Sequence, residues 1–71
     1  MDRIQVSSST IASIGYDVSG ETLEVEFKGG LIYQYSGVPL GLYNGLMSAS
    51  SKGNYLDEYI KKGGYPYRKI K

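Results

Sequence analysis

Apolar and polar side chains alternate through the middle of the chain, where Leu23, Val25 and Phe27 share one face and polar residues occupy the other. This period of two predicts a half-buried β-strand. Turn residues at 17–20 precede the strand and Gly29-Gly30 follows it, with further β-branched and aromatic segments on either side. Short strands separated by turn signals predict hairpins, here a three-stranded antiparallel meander. The predicted strands cover residues 10–16, 22–28 and 31–35.

After Pro39 the apolar pattern changes to the three- and four-residue spacing of a helix. The serine-rich segment 48–51 interrupts this pattern, which then resumes and ends at a second Gly-Gly pair. Two short α-helices are therefore predicted, the second of them capped by Ser50, by Ser51 or by Asn54. Their apolar stripes, tyrosines included, are expected to pack into the core. These stripes are Leu42, Tyr43, Leu46 and Met47 in the first helix and Tyr55, Leu56, Tyr59 and Ile60 in the second.

Gly41 and Gly45 lie inside the first predicted helix. Each glycine costs about 1 kcal/mol relative to alanine in a helix interior, so packing must hold this helix in place. The Gly-x-x-x-Gly spacing is typical of close helix packing. We therefore expect the first helix to approach the sheet closely.

Together these elements predict an α+β fold, a meander followed by two helices. The 71 residues are expected to form one domain, 1–71, with an extended lead-in at 1–9. The basic tail at 65–71 either adds a short edge strand or stays loose. The N-terminal residues lack the apolar core of a secretory signal, and no apolar run approaches the ~20 residues of a membrane span. A cytoplasmic location, without membrane contact, is expected.

Histidine and cysteine are both absent from the chain. General acid–base catalysis uses histidine most often, and thiolate and imidazole groups are the usual ligands of zinc. Glu24 and Glu26 share one strand face, an arrangement that a glycosidase or a hard-metal site can use but that more often marks the polar side of a strand. We therefore expect no enzyme, no metal, no cofactor and no small-molecule substrate.

The hydroxyl-rich segment Ser7-Ser8-Ser9-Thr10 admits two interpretations. Its hydroxyl and amide groups can donate hydrogen bonds to a phosphate group. A cluster of this composition is more often an extended lead-in to a strand. The second interpretation is the one expected for this chain.

Eight tyrosines in 71 residues are the clearest excess in the composition. For Tyr33 and Tyr35, the loop between the second and third strands decides which face the rings occupy. A two-residue Gly29-Gly30 turn is the more common choice and the expected one, and it places both rings on the polar face beside the glutamates. A bulged loop, Lys28-Gly29-Gly30, shifts the register by one residue and places both rings in the core.

The net charge of +1 is unevenly distributed, because six of the eight basic residues lie beyond residue 51. Exposed rings on a sheet can stack unpaired bases, and nearby cationic groups can contact phosphates. RNA is therefore one expected partner. A protein partner or a second copy of this chain is the alternative, since tyrosine and arginine are enriched at protein interfaces. The candidate binding residues are Tyr33, Tyr35, Lys52, Lys61, Lys62, Arg68 and Lys69.

Several motifs give the chain a resemblance to the KTSC domain, a module named for its occurrence at the C-terminus of some lysyl-tRNA synthetases. The matching stretches are Val6-Ser7-Ser8-Ser9, Ile14-Gly15-Tyr16-Asp17, Leu23-Glu24-Val25-Glu26-Phe27 with Gly30, Tyr33-Gln34-Tyr35, Gly37-Val38-Pro39, Ser51-Lys52-Gly53 with Tyr55, and Tyr65-Pro66-Tyr67-Arg68. The resemblance implies a stand-alone bacterial member of a family without an established function. Attachment to the synthetase suggests RNA binding, and the Tyr-x-Tyr motif of the family maps onto Tyr33 and Tyr35.

Overall fold

The computed structural model describes all 71 residues and contains an antiparallel sheet with two helices packed against one face. The sheet has five strands, which follow one another in sequence order. The elements are β1 Ile4–Gln5, β2 Ile11–Asp17, β3 Thr22–Phe27, β4 Ile32–Tyr35, α1 Leu40–Ser48, α2 at residues 52–61 and β5 Tyr67–Lys69. Helix α2 is α-helical over Lys52–Tyr55 and continues as a π-helix over Leu56–Lys61.

The α+β class predicted from the sequence is confirmed, but the sheet has five strands and not three. Strand β1 lies within the expected lead-in and pairs Ile4 with Ile14. Strand β5 lies within the basic tail and pairs Tyr67 with Tyr35, which confirms the first of the two alternatives for that segment. Strand β1 lies at the opposite edge and consists entirely of exposed residues, so its sequence carries no core-facing pattern that would predict it.

The expected two-residue turn between β3 and β4 is wrong. The backbone N–H of Phe27 donates to the carbonyl oxygen of Leu31 over 2.8 Å, which closes a three-residue loop at 28–30. Gly29 and Gly30 have φ angles of 107° and 101°. Glycine adopts this conformation without the steric cost that a Cβ brings, so the chain accommodates the extra loop residue.

The longer loop sets the register of the whole hairpin. Tyr33 pairs with Val25 and Tyr35 pairs with Leu23, while Glu24 pairs with Gln34. Because paired residues share a face, both rings lie on the side of the sheet that the helices cover. The glutamates lie on the opposite side.

The core lies between the sheet and the helices. Leu46 is the buried residue of α1, and Leu56 and Ile60 are the buried residues of α2. Two of the three helix tyrosines pack against this core as expected, but Tyr59 is 52% exposed and contacts Tyr55 with the two rings tilted and their centroids 4.6 Å apart. The core cluster consists of Ile11, Ile14, Leu23, Val25, Tyr35, Val38, Leu46, Leu56 and Ile60.

Helix α2 begins at a serine cap. The Oγ atom of Ser51 accepts a hydrogen bond from the backbone N–H of Asn54 over 3.4 Å, which selects Ser51 from the three predicted caps. At the other end, the N–H of Lys62 donates to the carbonyl oxygen of Asp57 over 3.2 Å, a five-residue step that characterises a π-helix. Neither α1 nor α2 has the length and apolar character that crossing a membrane requires.

Gly45 allows α1 to approach α2 closely, whereas the sequence predicted a close approach to the sheet. A Cβ atom placed on Gly45 would overlap the ring of Tyr55. A Cβ atom placed on Gly41 would meet no atom within 4 Å. One of the two glycines is therefore required by packing, and the other is not.

Alanine substitutions at these two glycines are expected to have opposite effects. Gly41→Ala should raise the free energy of unfolding by about 0.5 kcal/mol, because alanine favours the helix and meets no obstacle. Gly45→Ala should lower it by about 1–2 kcal/mol, because the Tyr55 ring must move. Urea denaturation followed by circular dichroism measures both changes, and equal effects would contradict the packing of Tyr55 on Gly45.

Candidate functional site

An open groove lies where the β3–β4 hairpin and β5 meet the C-terminal end of α2. Its volume is about 440 Å³, within the range of pockets that hold small ligands. Six of its seven lining side chains are aliphatic or aromatic, and the seventh is a lysine. The lining residues are Phe27, Leu31, Tyr33, Tyr35, Lys61, Tyr65 and Tyr67. We call this surface the aromatic groove.

Strand pairing brings the tyrosines of the groove together. Tyr67 pairs with Tyr35, and Tyr33 lies two positions away on the same face of β4. The ring centroid of Tyr67 is 5.9 Å from that of Tyr33 and 5.8 Å from that of Tyr35. Phe27 meets Tyr33 edge to face at 5.9 Å. These separations are typical of favourable aromatic pairs, so the rings hold one another in place.

The rings differ in exposure. Tyr35 is 3% exposed and forms the floor of the groove, whereas Tyr33 is half-buried and Tyr67 is 66% exposed. The Tyr35 hydroxyl has no hydrogen-bond partner within the chain. Because every fully buried side-chain polar atom has such a partner, the Tyr35 hydroxyl is not fully buried, and it reaches solvent through the groove. Burial, with smaller contributions from Tyr33, Tyr67 and Asp57, raises the pKa of Tyr35 to about 12. The floor therefore presents a neutral hydroxyl that can donate a hydrogen bond near neutral pH.

Lys61 supplies the positive charge in the groove. Its Nζ atom lies 5.2 Å from the centroid of the Phe27 ring and 3.2 Å from a carboxylate oxygen of Asp57. The Lys61 and Asp57 side chains are 47% and 61% exposed, so water weakens this ion pair. A ligand anion could therefore draw the ammonium group away from Asp57 at little cost.

The opposite face of the sheet carries a hydrogen-bonded network that we call the polar ladder. It extends across strands β2 to β5 and includes Arg3, the residue before β1; its members are Arg3, Ser13, Glu24, Glu26, Gln34 and Arg68. Arg3 donates to Glu24 and to Ser13, and Ser13 donates to Glu26 over 2.7 Å. Because the ladder lies on the far side of the sheet from the groove, its glutamates do not stand beside the tyrosine rings.

Glu24 is ionised at the centre of the polar ladder although its side chain is only 5% exposed. Burial opposes ionisation, but hydrogen bonds from Gln34 and Arg3, together with the positive charges of Arg3 and the N-terminus, outweigh it. The pKa of the Glu24 carboxyl is therefore held below its ordinary value. The network thus pairs a buried charge and stabilises the N-terminal segment on the sheet.

The groove includes some of the predicted binding residues and adds others. The included residues are Tyr33, Tyr35 and Lys61, and the added ones are Phe27, Leu31, Tyr65 and Tyr67. The two tyrosines that flank Pro66 were visible in the sequence as an alternating pair. They join the site only because β5 pairs with β4, and the sequence left that strand undecided.

Four predicted binding residues lie outside the aromatic groove. Arg68 belongs to the polar ladder, with its guanidinium 3.5 Å from Gln34. Lys69 pairs with Tyr33 but does not line the groove. Lys62 is exposed and pairs with Glu58 over 3.3 Å, and Lys52 lines a separate polar pocket near the N-terminal serines.

The KTSC domain profile matches residues 7–65, from the serine cluster to the first tyrosine of the tail. The chain belongs to the KTSC domain family. The resemblance seen in the sequence motifs is thereby confirmed. The Tyr-x-Tyr motif of this KTSC domain supplies the floor and one wall of the aromatic groove.

Three relatives of this KTSC domain illustrate its distribution. An uncharacterized protein of Stutzerimonas stutzeri is 37% identical over 70 residues, which cover 99% of each chain. A lysine–tRNA ligase of Nostoc sp. is 36% identical over 67 residues, which cover 94% of this chain but only 12% of the ligase. A KTSC domain protein of Yersinia pestis has a solved structure with a TM-score of 0.89 and 48% identity, covering 99% of this chain and 97% of its own.

Proposed function

We propose that this KTSC domain is a non-catalytic module that binds unpaired nucleotides of RNA in the aromatic groove. The observation that carries the proposal is the pair of accessible rings, Tyr33 and Tyr67, with the Lys61 ammonium group in the same groove. Every base has a π-face, so aromatic platforms accept unpaired bases with little sequence preference. The lysine provides a contact for a phosphate.

Two further observations support RNA as the partner. The glutamates of the polar ladder lie on the opposite face of the sheet, so they do not repel a polyanion from the groove. A related segment forms part of a lysine–tRNA ligase, an enzyme that is named for tRNA as its substrate. A module fused to such an enzyme has a nucleic acid within reach.

The non-catalytic part of the proposal follows from the groove lining. Apart from Lys61, the titratable groups that line the groove are tyrosines. The Tyr35 phenol, whose pKa burial raises to about 12, remains protonated at neutral pH and is a poor general base. The groove therefore offers stacking surfaces and hydrogen-bond donors, which suit binding.

Tyr67→Ala is expected to weaken binding of single-stranded RNA by roughly 5- to 150-fold, because one stacked base contributes about 1–3 kcal/mol. Fluorescence anisotropy of a labelled oligonucleotide at two salt concentrations measures the change. Tyr67→Phe should retain most of the affinity, since it keeps the ring. Tyr59→Ala is the matched control, because Tyr59 is also an exposed tyrosine but lies outside the groove.

The salt dependence separates stacking from charge. Lys61→Ala should make the slope of log affinity against log salt shallower by about 0.7, the value for one phosphate contact on a single strand. Tyr67→Ala should leave that slope unchanged. Absence of binding at low salt, or equal losses from Tyr67→Ala and Tyr59→Ala, would refute RNA binding in the groove. Concentration-dependent dimerisation in light scattering without RNA binding would favour self-association instead.

A further inference from the structure

A second depression, lined almost entirely by polar side chains, lies near the N-terminal serines. Its volume is about 570 Å³, and three separate segments of the chain contribute to it. No carboxylate lines it. The lining residues are Val6, Ser7, Ser8, Ser9, Lys28, Ser50, Ser51 and Lys52. We call this surface the serine–lysine pocket, and we propose that it binds a phosphate group.

The two lysines of the pocket have no carboxylate partner. The salt bridges of the domain involve Arg3, Lys61 and Lys62, but neither Lys28 nor Lys52. The Nζ atom of Lys52 donates to the carbonyl oxygen of Ala49 over 3.2 Å, which orients this half-buried side chain. An ammonium group has three donors, so further donors remain available. Two unpaired cations in one pocket favour an anionic ligand.

The serine hydroxyls of the pocket are arranged as donors. The Oγ atom of Ser8 accepts hydrogen bonds from the N–H groups of Thr10 and Ile11, each over 3.2 Å. The Oγ atom of Ser51 accepts from the N–H of Asn54. Because these oxygens are used as acceptors by the backbone, their hydroxyl protons remain free to donate. A ligand rich in acceptor oxygens and negative charge matches this lining, and a phosphate has both properties.

A third depression lies between the serine–lysine pocket and the aromatic groove. This smaller depression of about 270 Å³ shares Ser9 and Ser51 with the serine–lysine pocket. It shares Phe27 and Lys61 with the aromatic groove. The three depressions therefore lie next to one another along the junction of the sheet and α2. If the proposed RNA binding holds, a phosphate of the same strand reaches the serine–lysine pocket while its bases occupy the groove.

Phosphate binding can be tested without RNA. Inorganic phosphate, titrated into the ¹⁵N-labelled domain at low ionic strength, is expected to shift the backbone amides of 7–9 and 50–52 in a saturable manner. The double variant Lys28→Ala/Lys52→Ala should weaken this binding about tenfold or more, because it removes charge-assisted hydrogen bonds. Lys62→Ala is the matched control, since it removes one exposed charge that already pairs with Glu58.

The outcomes distinguish the source of the phosphate and keep the two proposals apart. The slope of log RNA affinity against log salt is compared between the double variant and the wild type. If it is shallower in the double variant by about 0.7 for each lysine that binds the strand, the ligand is a backbone phosphate. Phosphate binding with an unchanged RNA slope, or with no RNA binding at all, identifies a free phosphate and leaves the pocket assignment intact. Three results would overturn the proposal. The amide shifts could fail to saturate, acetate could reproduce them at equal ionic strength, or Lys62→Ala could weaken binding as much as the double variant does.

Discussion

Replacing Tyr35 by alanine is expected to lower the free energy of unfolding by about 3–5 kcal/mol, the usual cost of truncating a buried aromatic side chain. Tyr35 is 3% exposed and packs in the core cluster beneath the aromatic groove. A domain of 71 residues has a total stability of about 4–10 kcal/mol. The variant should therefore lose a large share of its stability, which urea denaturation followed by circular dichroism measures.

Tyr35→Phe is the matched control for this prediction. It keeps the ring and removes a hydroxyl group that has no hydrogen-bond partner within the chain, so the free energy of unfolding should change by less than about 1 kcal/mol. A loss as large as that of Tyr35→Ala would show that the hydroxyl, and not ring packing, stabilises the fold. A loss below about 1 kcal/mol in Tyr35→Ala would contradict the burial of the ring.

Arg3→Met is expected to lower the free energy of unfolding by about 2–3 kcal/mol, because it leaves the Glu24 carboxylate buried without its cationic partner. Breaking a fully buried ion pair typically costs about 3–5 kcal/mol. The expected loss is smaller here because one partner of the pair is in contact with water. The Arg3 side chain is 26% exposed. Adding Glu24→Gln to Arg3→Met should recover about 1 kcal/mol or more, since the unpaired charge is removed. Chemical denaturation at pH 7 compares the variants, and equal stability of wild type and Arg3→Met would exclude the pairing.

The pH dependence gives an independent measure of the same ion pair. Because the pKa of Glu24 is below its ordinary value in the folded protein, ionised Glu24 stabilises the fold above about pH 4.3, the pKa of an unfolded glutamate. This stabilisation is lost as the pH falls through the lower, folded pKa. Acidification should therefore destabilise the wild type more than Glu24→Gln, which has no carboxyl group at this position. It should also destabilise the wild type more than Arg3→Met, because the pKa of Glu24 is expected to rise in that variant.

The fold class was predictable because each regular element has a repeating apolar pattern. The strand at β3 alternates cleanly, and the stripes that end at Met47 and Ile60 have helical spacing. The register of the β3–β4 hairpin was not predictable, since Gly29-Gly30 fits both a two-residue turn and a three-residue loop. The packing of whole strands against the helices decides which of the two loops forms, and the local sequence of the loop does not specify this packing.

The candidate site was predictable only in part, for a related reason. Tyr33 and Tyr35 were recognised by their spacing on one strand, and Lys61 by its position in a basic segment. Tyr67 joins them through pairing between β4 and β5, which no local pattern encodes. The serine–lysine pocket likewise combines segments that are far apart in the sequence, so only the folded structure shows that Lys52 lies near the N-terminal serines.

The short edge strands have a consequence for how the domain behaves at high concentration. Strands β2 and β4 contain few charges, and an uncovered strand of this kind exposes unpaired backbone groups that can extend a sheet into a neighbouring molecule. Strand β1 covers β2, and β5 covers β4 with three residues, two of them cationic. Because β5 also contributes Tyr67 to the aromatic groove, the strand that completes the groove is the same strand that covers the edge of β4.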